Sequence, residues 1–229
     1  MKQTLFITGT DTGVGKTILA ARLIKFLRER GVNAAGLKPI CSGGRGDARK
    51  LFAAMDGRLE VQSPKPKAQS PALSLDEINP WHFSAPIAPL LAARLEKKSV
   101  KPPQVLAQIR AMQRRFDVLL VEGAGGLLSP LGENFNSRDL ILKLRATPIV
   151  VAQNKLGAIN QILLTLEALP EKFQKKARVV LVAPPKPDAA AKSNVKLLAE
   201  FFPAERIFTL PRPGKNSVAE KFLRALAGI

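Results

Sequence analysis

Gly9-Thr10-Asp11-Thr12-Gly13-Val14-Gly15-Lys16-Thr17 follows the apolar run Leu5-Phe6-Ile7 and precedes an apolar-periodic segment from Ile18 to Leu27. Strand, glycine-rich turn and helix, in that order, are the context in which a phosphate-binding loop works. Backbone N–H groups and the positive end of the helix dipole surround phosphate oxygens there. Lys16 would reach the outer phosphates as a point charge, and the Thr17 hydroxyl would ligate Mg2+. Gly13 and Gly15 suit a backbone that must come close to its ligand. The leading glycine of G-x-x-x-x-G-K-[ST] is displaced, with Thr10 at its position and Gly9 one residue earlier. The stretch predicts a nucleoside-triphosphate site.

Outward from this loop the chain alternates strand and helix patterns. A buried strand is expected over 3–8 and its helix over 17–30, ending near Gly31. Ala34 to Lys38 reads as a second strand one place over from the loop, with Lys38 at its C-terminal edge. Pro39 stops regular structure, and residues 41–46 read as a flexible glycine-rich loop before a short helix that begins at Asp47. The Pro- and Lys-rich segment 58–74 reads as a surface loop. Asn79-Pro80-Trp81-His82-Phe83, with Pro86 and Pro89, is a stiff lead-in to a helix of about ten residues. Prolines 102 and 103 suit the first turn of another, running to Arg115.

Asp117 to Glu122 is a fully apolar run ending in a carboxylate, as expected of a parallel strand covered on both faces. Gly123-Ala124-Gly125-Gly126 is the turn after it. Strands at 148–152, 179–182 and 206–210 and helices at 157–169, 189–201 and 216–227 complete the pattern. The expectation is an α/β fold of P-loop NTPase type, one domain over 1–229. Its sheet is doubly wound and mostly parallel, flanked by helices, and its ligands lie at the carboxyl ends of the strands.

With 229 residues the chain can bury one large core. No apolar run approaches the roughly 20 residues of a membrane span, and a strand begins directly after Lys2, so no secretory signal is expected. A single cysteine, Cys41, excludes an intrachain disulfide and Cys-rich zinc sites. A cytoplasmic location is expected. Lys plus Arg number 36 against 18 Asp plus Glu, a net charge of +18. Such a field attracts nucleotides and can hold nucleic acid. The cations are scattered without aromatic interleaving, so a solvated surface is expected and a nucleic-acid partner is not.

The polar groups at the expected strand ends fall at 9–17, 38–47, 122–126 and 153–160. Glu122 fits the carboxylate that a Walker-B acid supplies to Mg2+. Asp47, the only acid between Glu29 and Asp56, is either a further metal carboxylate or a plain N-cap. Lys38 would stabilise charge developing on a transferring phosphoryl group or on a carboxylate. His82 reads as packing beside Trp81, and Cys41 as a small, partly buried residue without a base beside it.

On these residues the chain resembles the dethiobiotin synthetase family of biotin biosynthesis. The matching stretches are 9–17, Lys38-Pro39-Ile40-Cys41-Ser42-Gly43, Asn79-Pro80-Trp81-His82-Phe83, Val121-Glu122-Gly123-Ala124-Gly125-Gly126 and Lys155-Leu156-Gly157-Ala158-Ile159-Asn160. The resemblance implies that 7,8-diaminononanoate, CO2 and MgATP give dethiobiotin, ADP and phosphate through a carbamate and a carbamic–phosphoric anhydride. It implies Lys16 and Lys38 as catalytic residues, and Thr17, Asp47 and Glu122 as the holders of Mg2+. Gly13, Val14, Gly15, Lys16, Thr17 and Ile18, with Asp47 and Glu122 to Gly125, would bind ATP. Thr12, Lys38 and Ser42 would hold the diamine, and Gly157, Ala158, Ile159 and Asn160 would receive its distal carboxylate from a second copy in a homodimer.

Three features depart from the family pattern. The Ser42-to-Asp47 spacing is short, and 58–74 looks like an insertion. Val182-Ala183-Pro184-Pro185 stands where the family places an adenine-reading Asn. Neither Ala nor Pro offers an amide side chain to a base, so relaxed base selection is expected. ParA/MinD-like partitioning ATPases, which often bind DNA through basic surfaces, share the loop and are the alternative. Their signature lysine near its start is replaced here by Asp11, and they leave Lys38-Pro39 and Ser42 unexplained.

Overall fold

The apolar runs become parallel strands because each can be buried on both faces. In the computed structural model, which describes residues 2–56, 73–211 and 223–228, the chain begins with β1 (Gln3–Gly9), α1 (Lys16–Glu29), β2 (Ala34–Leu37), β3 (Ile40–Ser42) and α2 (Gly46–Asp56). It continues through α3 (Leu75–Ile78), β4 (Trp81–Phe83), α4 (Pro89–Leu95), α5 (Pro102–Arg115), β5 (Val118–Glu122) and α6 (Ser137–Leu144). β6 (Thr147–Gln153), α7 (Ala158–Glu167), α8 (Glu171–Gln174), β7 (Arg178–Val182), α9 (Ala189–Leu198) and β8 (Ile207–Leu210) follow. A helical stretch at 223–227 falls within the expected closing helix, whose earlier residues, like most of 58–74, lie outside the described residues.

Six strands form one sheet in the order β2-β5-β1-β6-β7-β8, parallel throughout. Two-sided burial is visible residue by residue. Ile149, Val151 and Val180 join the larger apolar cluster, whereas Val150, Ala152, Val179 and Leu181 pack with Ala158, Ile162, Leu166 and Leu198 of α7 and α9. Alternation across two dry faces is why these strands read as continuous apolar runs. Among the described residues, no helix is long and apolar enough to cross a membrane.

The register puts the carboxyl ends of the strands along one edge. Ile7 of β1 lies opposite Glu122 of β5, and Leu37 of β2 lies opposite Val121. This corrects one expectation: β2 is not next to β1, because β5 lies between them. Glu122 therefore sits between Lys38 and the loop, a placement that strand order alone decides.

Residues 41–46 are also not simply a loop. Ile40, Cys41 and Ser42 pair in parallel with Trp81, His82 and Phe83 in a separate two-stranded sheet. Each strand is too short and too closely flanked by Pro and Gly to show an alternation, and each exists only because the other arrives from far along the chain. The helix after Pro89 is shorter than expected. α2 starts at Gly46, leaving Asp47 in its first turn with a side chain directed elsewhere. His82 is exposed on β4.

Candidate active site

β1 ends at Gly9 and α1 starts at Lys16, so the loop between them lies at the sheet's carboxyl edge. Gly15 is left-handed, with φ 104°, and forms the N-cap of α1. A Cβ on Gly9 would lie 2.7 Å from Val14 Cγ2 and 3.1 Å from Lys16 Nζ. The glycine required for close packing is thus Gly9, which accounts for the displaced motif. Lys16 Nζ donates to the Asp11 carbonyl at 2.7 Å, so its ammonium lies over the loop. Burial, then the nearby Lys38 ammonium, lower the Lys16 pKa to about 8, while Glu122, Asp47 and Asp11 partly offset them. A phosphate group would relieve that deficit by supplying negative charge.

Four of the expected residues converge. Lys38 Nζ donates to Glu122 Oε1 at 2.6 Å and to the Gly123 carbonyl at 3.0 Å, and lies 3.2 Å from Asp47 Oδ2. The Thr17 hydroxyl donates to the same Glu122 oxygen at 2.8 Å. Lys38 and Glu122 are almost wholly buried. Burial opposes the charge on Lys38, but Glu122 and Asp47 outweigh it and raise its pKa, so the ammonium stays protonated. Burial likewise pushes the Asp47 carboxyl up, and the opposing effect of Lys38 prevails and holds it below its usual range. Asp47 therefore serves as a charged partner rather than as an N-cap.

The other Glu122 oxygen, Oε2, is buried with no hydrogen-bond partner. A buried carboxylate oxygen without a donor is costly unless a cation completes it. Together with the Thr17 hydroxyl and Asp47, it is an oxygen donor set of the kind that Mg2+ takes beside phosphate oxygens. No group of three or more His, Cys, Asp or Glu suited to a metal occurs among the described residues. These two carboxylates and one hydroxyl suit a cation that phosphate oxygens help to hold.

The tertiary structure adds a residue that sequence reading left without a role. Asn79, fully buried, donates through Nδ2 to the Lys38 carbonyl at 2.7 Å, and the Lys38 N–H donates to the Ile78 carbonyl at 3.0 Å. Asn79 Oδ1 accepts from Cys41 Sγ at 3.2 Å and from Arg45 Nε at 3.2 Å. Arg45 also donates to the Leu75 and Asn79 carbonyls and pairs with Asp76 at 2.7 Å. Lys38 is thus gripped at both of its backbone groups by the segment carrying α3 and β4. Burial pushes the Cys41 thiol up, as suits a structural residue rather than a nucleophile. Asn79→Ala should lower unfolding stability by about 2–3 kcal/mol, because it strands several buried groups. Chemical denaturation measures this, and a change below about 0.5 kcal/mol would contradict the clamp.

Other expected residues are positioned without direct contact with this group. Thr12 is exposed, its N–H donating to Asp11 Oδ1 at 2.6 Å. A Cβ on Gly125 would lie 3.8 Å from Thr12 Oγ1, so the 123–126 turn lies against the loop. Ser42 is half-buried on β3, and Val14 packs in the core while Ile18 is half-exposed. Gly157 is the left-handed N-cap of α7, followed by buried Ala158, half-buried Ile159 and exposed Asn160. Two further buried residues that sequence reading missed, Asn154 and Asn194, fasten the segment before α7 to α9: Asn194 Nδ2 donates to Asn154 Oδ1 at 2.8 Å and to the Lys155 carbonyl at 3.0 Å. Their only sequence signal is a polar residue at a core position.

A family model described as an AAA domain matches residues 3–217. The ATP-dependent dethiobiotin synthetase of Anaeromyxobacter dehalogenans is 38% identical over 90% of this chain and 89% of its own. That of Thermodesulfovibrio yellowstonii is 34% identical over 92% of this chain and 89% of its own. Among solved structures, the ParA family ATPase from Chlorobium tepidum is similar at TM-score 0.58 and 14% identity over 99% of both chains. The MinC:MinD complex of Aquifex aeolicus contains a chain similar at TM-score 0.59 and 13% identity, over 99% of this chain and 96% of that one. The structural likeness carries the fold alone, while the sequence relatives carry the family. This chain belongs to the ATP-dependent dethiobiotin synthetase family.

Proposed function

We infer that the chain is an ATP-dependent dethiobiotin synthetase that carboxylates 7,8-diaminononanoate with CO2 and closes the ureido ring at the expense of ATP. The observation that carries this reading is the meeting of Thr17, Lys38, Asp47 and Glu122 beside the phosphate-binding loop. One amine adds to CO2 and loses a proton to give a carbamate. A carbamate oxygen then attacks the γ-phosphorus of ATP, and ADP leaves. The second amine attacks the carbonyl carbon of the resulting anhydride and expels phosphate. Phosphorylation converts a poor oxygen leaving group into phosphate, so the protein's task is to position reactants and neutralise charge.

Lys38, charged between its two carboxylates, would bind the carbamate and the phosphoryl oxygens. Lys16 would turn from the Asp11 carbonyl to the outer phosphates. Thr17, Asp47 and Glu122 would hold Mg2+, which when bound supplies charge neutralisation on the phosphates. Gly13 to Ile18, with the turn from Gly123 to Gly125, would surround the nucleotide, while Thr12 and Ser42 would hold the diamine. Gly157 to Asn160 would take the distal carboxylate at the N-terminus of α7 in a homodimer with shared sites. Leu156 is 82% exposed and Leu164 63%, an apolar surface beside that segment that a second copy would cover. Sedimentation showing a monomer at micromolar concentration would overturn the shared site.

Base selection should be relaxed. The Ala183 N–H already donates to the Leu210 carbonyl at 3.2 Å, and Pro184 and Pro185 have no N–H. Residues 183–185 therefore offer a base no free donor. Across ATP, GTP, CTP and ITP, kcat/KM is expected to vary by no more than about tenfold, and a preference for ATP above about a hundredfold would refute this. The function itself is tested by phosphate release with MgATP and bicarbonate, with and without 7,8-diaminononanoate, with the product identified by mass. Stimulation with formation of a cyclic urea is the expected result. Unstimulated release that DNA activates would replace this reading with a partitioning ATPase.

A further inference from the structure

At the opposite, amino-terminal edge of the sheet, the segments leading into β1, β5 and β6 border an open pocket of about 480 Å3. Its lining includes Lys2, Arg110, Arg114 and Arg145, with Gln113 beside them and Phe116 and Leu144 as an apolar floor. No carboxylate lines it. Among the described residues, none of the four cations belongs to an ion pair. The loop at the far end of β1 is roughly 20 Å away, since a strand rises about 3.3 Å per residue, so the nucleotide site does not reach this pocket.

The four cations are exposed, and the segments that carry them are fastened to one another. Lys2 Nζ donates to the Arg114 carbonyl at 2.6 Å, which ties the start of the chain to the end of α5. Gln113 Nε2 donates to Thr4 Oγ1 at 2.8 Å across the same junction. Arg145, at the C-cap of α6, has its carbonyl held by Lys176 Nζ at 3.0 Å, which fixes the backbone there. Water and salt screen the mutual repulsion of these exposed cations, an anion that enters the concavity relieves it further, and guanidinium groups match phosphate oxygens in pairs.

We propose that this pocket is a second anion site, distinct from the nucleotide site, which binds a small molecule carrying two or more phosphate groups. Its concave shape and its volume, in the range of small-molecule sites, fit a compact oligophosphate better than an extended backbone. The experiment is calorimetric titration of the full chain with tripolyphosphate, using Lys16→Ala to suppress binding at the nucleotide loop. Binding of one equivalent is expected to persist in Lys16→Ala. It should weaken at least about tenfold when Arg114→Ala and Arg145→Ala are combined, while phosphate release by that double variant in an otherwise native chain stays unchanged. Loss of all binding in Lys16→Ala would overturn the proposal. So would equal binding by the double variant, which would assign the effect to overall charge. Binding of duplex DNA through these arginines without binding of tripolyphosphate would overturn it in favour of a nucleic-acid surface. None of these outcomes depends on which substrate the nucleotide site turns over.

Discussion

Lys38→Ala is expected to lower turnover by about a thousandfold or more while leaving MgATP binding within about threefold. The reason is geometric. Among the described residues, Lys38 is the one ammonium bonded directly to Glu122, within reach of Asp47, and held by Asn79 and Ile78 through its backbone. The phosphate-binding loop itself is untouched by the change. The loss should therefore appear in kcat, where charge develops on the carbamate and phosphoryl oxygens, rather than in nucleotide affinity. A second consequence separates this role from a merely structural one. Without the ammonium, Glu122 is a buried carboxylate lacking its partner, which costs about 3 kcal/mol or more, and added Mg2+ should recover part of that stability by taking the vacated charge. Phosphate release, calorimetric titration with nucleotide and thermal unfolding with and without Mg2+ measure the three effects. Unchanged turnover would remove Lys38 from the reaction.

Glu122→Gln should raise the Mg2+ concentration for half-maximal activity by at least about tenfold and reduce the maximal rate. The amide oxygen can still accept from Lys38 and Thr17, so the local fold should survive. What is lost is the negative charge, together with the unpartnered oxygen that makes Glu122 a metal ligand in this reading. Asp47 would then be the carboxylate left beside Lys38. A Mg2+ titration of phosphate release separates the metal term from a general loss of activity, because a misfolded fraction lowers the maximum without moving the midpoint. An unchanged midpoint would take Glu122 out of the metal site.

Much of the fold is legible along the chain because its signals are local. The long apolar runs at 5–7, 118–121 and 148–152 are strands buried on both faces, and the glycine-rich turn between β1 and α1 needs only its neighbours to be recognised. α6 is less visible, although its start carries a reciprocal cap in which Asn136 and Asp139 exchange bonds. It has Asp where the usual pattern has Glu or Gln, and the helix is short. β3 and β4 could not be read at all, because a three-residue strand has no periodicity and these two are joined across a long stretch of chain.

By itself, the sequence determined the fold class, the nucleotide loop and the choice of Lys38, Asp47 and Glu122 as candidate polar groups beside it. Those are properties of residue type and short-range pattern. Only the tertiary structure decided that β5 lies between β2 and β1, which puts Glu122 within 2.6 Å of Lys38 and 2.8 Å of Thr17. Only it turned Asp47 from a possible cap into the second carboxylate on Lys38, and made Asn79 the clamp on Lys38. Strand order and side-chain meetings depend on which distant segments pack together, and that is settled by burying two faces of one sheet at once rather than by any stretch of the chain read alone.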